Sequence, residues 1–74
     1  MIAELDLVVS RRDLPEEKLR AGDIGAVVLL HAGGAGYEVE LTTLTGETLA
    51  VVTLPADDLR PVSPGEIANA RRVA

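Results

Sequence analysis

The ten residues from Ala21 to Leu30, A-G-D-I-G-A-V-V-L-L, restrict the fold of this chain more than any others. The aliphatic run after the glycines is short and rich in β-branched side chains, which points to a strand and not a helix. Ala26, Val28 and Leu30 lie on one face of that strand, and Val27 and Leu29 on the other. A strand apolar on both faces needs cover on both sides, so it belongs near the middle of a sheet. Gly22 suits the tight turn Ala21-Gly22-Asp23 because glycine adopts positive φ without steric cost.

The rest of the core must come from aliphatic residues. Tyr37 is the one aromatic residue among 74, and Phe, Trp and Cys are absent. A disulfide framework is therefore excluded, and with His31 as the one histidine so is a Cys/His zinc site. A single domain this small buries a marginal core. Such a chain gains from a self-association surface or a partner that buries more. The formal net charge of −5 repels phosphate backbones and anionic membranes on average. Glu4 and Asp6 stand where a secretory leader would carry basic residues, and no apolar run approaches a membrane span. The expectation is a cytoplasmic chain with no membrane partner.

The remaining segments fall into place around the central strand. Leu5, Leu7 and Val9 alternate with Asp6, Val8 and Ser10, as in a half-buried first strand. Leu14 to Leu19 reads as a long loop pinned to the core by its two leucines, with room for one helical turn after Pro15. The second strand covers about Ile24 to His31. Tyr37, Val39 and Leu41 alternate with Glu38, Glu40 and Thr42 in a third strand, and Thr43 to Glu47 forms a hairpin loop turning at Gly46. A fourth strand, Thr48 to Leu54, is again apolar on both faces. Ala56 to Leu59 suits one helical turn, and Leu59 to Val62 a short closing strand that Pro61, unable to donate a ladder bond, places at an edge. Ser63-Pro64-Gly65-Glu66 reads as a helix start, with serine as N-cap and glutamate three residues on. Ile67, Ala70 and Val73 would then share the apolar face of a short C-terminal helix.

This order of elements predicts an all-β, SH3-like small barrel of five strands at about 4–62, followed by a helix at about 64–73, all in a single domain over 1–74. The chain also resembles a family of small uncharacterised bacterial proteins, a domain of unknown function. The matching motifs are E-L-D-x-V-V at Glu4–Val9, A-G-D-x-G-x-V-V at Ala21–Val28, Y-E-V-E at Tyr37–Glu40, G-E-T-x-A-V-V-T-L at Gly46–Leu54 and L-R-P-V at Leu59–Val62. The resemblance implies an SH3-like barrel without enzyme activity, and similarity to the small partner half of toxin–antitoxin or immunity-like pairs.

Candidate chemistry is sparse. His31 has no nucleophile motif beside it and reads as an ordinary strand-end residue. The glycines Gly22 and Gly25 make no phosphate loop, and Gly33-Gly34-x-Gly36 makes no dinucleotide fingerprint. Asp57 and Asp58 read as acids at a helix N-terminus. Arg11, Arg12, Lys18 and Arg20 cluster at the first loop, where KOW-like domains meet RNA, but Asp13, Glu16 and Glu17 interleave with them and stacking aromatics are lacking. One tyrosine cannot line a proline-peptide groove either. The leading expectation is therefore a non-catalytic protein-interaction module with no cofactor or metal, such as the antitoxin- or immunity-like partner of a basic protein. Glu38, Glu40 and Glu47 would steer that partner, with Tyr37, Ile67 and Val73 adding contact. The alternatives are a structural homo-oligomer and a KOW-like RNA contact.

Overall fold

The computed structural model describes residues 2–31 and 33–73. Five antiparallel strands, β1 (Leu7–Ser10), β2 (Ile24–His31), β3 (Gly36–Thr42), β4 (Thr48–Pro55) and β5 (Leu59–Pro61), form one sheet in the order β4-β3-β2-β1-β5. One-turn 3-10 helices occupy Pro15–Glu17 and Ala56–Asp58. The sheet is open, with β4 and β5 as its edges.

The central position of β2 follows from its two-faced composition. It pairs with β1 and β3, and Val27 is fully buried opposite Val39. Gly22 turns the chain into this strand at φ +94°, and Gly46 turns the β3–β4 hairpin at φ +95°. The long first loop is pinned as expected. Leu14 and Leu19 are buried, and each donates its backbone N–H to the other's carbonyl, at 3.0 and 3.1 Å. A register shift between Val27 and Leu29 lets β2 bend after its buried half.

Two expectations are corrected. The first concerns β1. Leu5 lies outside the strand at φ 72°, and Leu5 and Leu7 are exposed, while Val8 and Ser10 are buried. Val8 stands opposite Gly25 and so shares the core side of the sheet with Val27 and Val39. Ser10 tolerates burial because its hydroxyl donates to the Arg12 carbonyl at 2.8 Å. Val9 is buried from the other side of the sheet.

The second concerns the tail. The helix expected at about 64–73 is absent: Pro64 and Gly65 form a turn and the described residues beyond it have no regular structure. Proline followed by glycine also specifies a type II turn, which requires positive φ at the second central residue. Gly65 sits at φ +85°, outside the right-handed helical region. The Glu66 carboxylate does reach back to the Ser63 N–H, at 2.6 Å, as in a capping box, but Arg60 holds the same carboxylate and no helix follows. A short segment without docked apolar residues does not overcome the cost of helix nucleation. The tail crosses back instead as irregular chain held by side-chain ion pairs.

Candidate interaction face

Residues paired across an antiparallel sheet point to the same side. One side holds Val8, Gly25, Val27, Val39, Val52 and Leu54 and is the core. The opposite side is built from the pairs Val9–Ile24, Leu7–Ala26, Ala26–Glu40, Leu29–Glu38, Glu40–Val51 and Glu38–Thr53. On that side Leu29 is 45% exposed and Val51 53%. Glu38 thus lies between Leu29 and Thr53, and Glu40 between Ala26 and Val51. The result is a mixed face of two carboxylates among uncovered aliphatic side chains.

Neither carboxylate is neutralised by a lysine or arginine among the described residues. Glu38 Oε2 lies 3.0 Å from His31 Nε2, which the end of β2 places on the same side. The Thr48 hydroxyl donates to Glu40 Oε2 at 2.7 Å. Glu47 is exposed in the hairpin loop, where its N–H donates to Thr43 Oγ1 at 3.0 Å. Tyr37 does not join these acids. It is buried in the core, which removes it as a contact residue and uses the chain's one ring for packing. Ile67 and Val73 are exposed in the tail, away from β3, and share no helical stripe.

Three of the six arginines, by contrast, are engaged internally. Arg12 grips Asp58 through two bonds, Nε to Oδ1 at 2.7 Å and Nη2 to Oδ2 at 3.0 Å. This fork ties the first loop to the turn before β5 and satisfies a nearly buried carboxylate. Asp58 therefore serves as the arginine's partner more than as a helix-terminal acid. Arg60 holds Glu66 and Arg71 holds Asp23 in the same bidentate manner. Each bond raises the arginine's already high pKa, and the Arg60 fork lowers Glu66 to about 2. Sequence reasoning missed all three forks. Asp23 and Arg71 are separated by 48 residues, and no local pattern announces such a pair. Among the described residues no cluster of His, Cys, Asp and Glu could hold a metal ion. No helix is long and apolar enough to cross a membrane among those residues.

In comparison with known proteins, the model of a family described as a domain of unknown function (DUF4926) matches residues 4–61. No curated protein and no solved structure matches.

Proposed function

The chain belongs to that domain family, and from this premise we propose that it is a non-catalytic, cytoplasmic protein-interaction module. Its outer sheet face on β3 and β4 receives a basic partner. The observation that carries this reading is the placement of Glu38 and Glu40 beside exposed Leu29 and Val51, with no arginine or lysine on either acid among the described residues. Carboxylates without a lysine or arginine partner steer a cationic partner at long range, and the uncovered aliphatic surface supplies the contact that excludes water. The order β4-β3-β2-β1-β5, with a 3-10 turn just before β5, supports an SH3-like barrel as the scaffold. A basic protein held in an antitoxin- or immunity-like pair is the partner type that this face suits.

The test is capture from native lysate at low salt with the wild-type chain and a Glu38→Lys/Glu40→Lys variant. The reading expects a basic protein that the wild type retains, that salt elutes and that the variant fails to retain. Capture by both chains alike, or by neither, refutes it.

A second reading, a homo-oligomer, is favoured by the free edge of β4. That strand carries no charged residue over Thr48–Pro55, and one side of its backbone is unpaired. Long uncharged edges are templates for strand pairing. Light scattering that finds only monomer at high concentration removes it. The RNA reading rests on Arg11, Arg12, Lys18 and Arg20, of which Arg12 is bound to Asp58.

A further inference from the structure

Residues 62–73 follow the matched domain and return to it, held by two guanidinium–carboxylate forks. At the near end, Arg60 donates to both oxygens of Glu66, at 2.9 and 2.7 Å. At the far end, Arg71 donates through Nε to Asp23 Oδ1 at 2.7 Å and through Nη2 to Oδ2, and Nη2 also donates to the Lys18 carbonyl at 3.2 Å. Asp23 belongs to the turn that opens β2. It is fixed there by the Arg20 N–H, which donates to Oδ2 at 2.9 Å. The Arg71 bond, with help from Arg20, holds its carboxyl below the usual range.

Between the forks Glu66, Ile67, Ala68 and Asn69 of the tail form one wall of a groove against the sheet. Ile67 is 89% exposed. It borders a groove of about 420 Å³ whose remaining apolar lining is chiefly Leu7, Val9, Ile24 and Val62. Leu7 and Ile24 remain accessible on its floor. The tail is thus positioned by charge and leaves Leu7 and Ile24 partly uncovered.

We propose that Asp23 and this floor form a docking groove for an extended, arginine-bearing segment of a partner protein, and that the tail is its displaceable resident strap. The two oxygens of Asp23 and the Lys18 carbonyl fit the planar fork of a guanidinium, which an ammonium group cannot reproduce. A partner segment places its arginine where Arg71 sits and lays an apolar side chain over Leu7 and Ile24, which the tail leaves 56% and 37% exposed. As a tethered occupant the tail acts at an effective concentration in the millimolar range, so it masks the groove against weak competitors. Neither Glu38 nor Glu40 takes part, so this site and the acidic face stand or fall separately.

The probe is a synthetic peptide of residues 62–73, with a second peptide carrying Arg71→Ala. Both are titrated into the full-length wild-type chain, the Arg71→Ala chain and the Arg71→Ala/Asp23→Asn chain, with backbone amide shifts as the readout. Asparagine at 23 keeps an oxygen for the Arg20 N–H while removing the charge. The expected result is binding to Arg71→Ala with shifts at Leu7, Asp23 and Ile24. Binding falls by about tenfold or more in the wild type, where the tethered strap competes. The double variant and the arginine-free peptide should show a similar loss. Should Arg71→Ala fail to fold, Arg71→Lys serves with a smaller contrast, since it keeps the charge and loses the fork. No binding to the released chain, or binding indifferent to Asp23→Asn, overturns the proposal. So does a wild-type dimer that Arg71→Ala converts to monomer, because the groove's occupant is then the tail of a second copy.

Discussion

Replacing Gly25 by alanine tests whether packing sets the position of β2. The backbone at Gly25 is not in the left-handed region, so alanine meets no conformational barrier there. Space is the obstacle. A Cβ built on Gly25 falls 2.5 Å from Val39 Cγ1, 2.9 Å from the Glu40 carbonyl oxygen and 3.0 Å from Leu41 Cδ2. Val39 is buried and β-branched, so its side chain has few rotamers to escape into. The Glu40 oxygen is backbone within β3 and moves only with the sheet. Overpacking of this kind costs about 1–3 kcal/mol. Against it stands the smaller conformational entropy of alanine in the unfolded chain, worth about 0.4–1 kcal/mol. The net expectation is a loss of roughly 1–2 kcal/mol. A domain of this length has roughly 4–11 kcal/mol of total stability. At about 4–8 °C per kcal/mol, Tm falls by roughly 5–15 °C.

The assay is urea unfolding, with Gly22→Ala as the contrast. Gly22 has φ +94° and nothing within 4 Å of a built Cβ, so its cost is backbone strain alone. Asparagine tolerates that conformation and should recover part of the loss at 22 but none at 25. Shortening Val39 to alanine should couple to Gly25→Ala by more than about 0.5 kcal/mol, because it removes the nearest atom. The Gly22 substitution should show no such coupling. A Gly25→Ala chain as stable as wild type, or one whose loss adds simply to that of Val39→Ala, refutes the reasoning.

Three further outcomes follow from the packing and the ion pairs. Val27→Ala, at a fully buried site, should cost about 1.5–3 kcal/mol in urea unfolding, whereas Val51→Ala on the open face should stay within about 0.5 kcal/mol. Arg12→Ala should lower the urea midpoint because it strands the nearly buried Asp58 carboxylate, and Arg12→Ala/Asp58→Asn should recover part of that loss. The Glu66 carboxyl is lowered from its ordinary 4.5 to about 2 by Arg60 and the Ser63 N–H, so its contribution is present above 4.5 and is lost as pH falls toward 2. In an acid titration followed by NMR, the carboxyl carbon of Glu66 should therefore move only well below 4.5, together with the amide of Ser63. A midpoint near 4.5 refutes the fork.

The legible and illegible parts of this chain differ in the range of the interactions behind them. Ile24 to His31 reads directly as a strand because its signal is local: β-branched residues after a glycine turn. The same holds for the Gly46 hairpin and for the leucine pins of the first loop, whose partners lie within a few residues. The β1 face depends on what stands across the strand. Val8 and Val9 are equally apolar and both are buried, on opposite sides of the sheet, so the alternation alone does not say which side is the core. At the tail the local signals conflict. Serine, proline, glycine and glutamate in that order satisfy both a helix start and a type II turn, and the decision falls to Arg60 and Asp23. The candidate face divides in the same way. Glu38 and Glu40 are visible as alternating acids on one strand, and Tyr37 is lost to the core because a chain with one ring buries it. Asp23, by contrast, reads from sequence only as a turn residue. Its role as an arginine receptor comes from chain 48 residues away, so this fork is one that no local motif encodes.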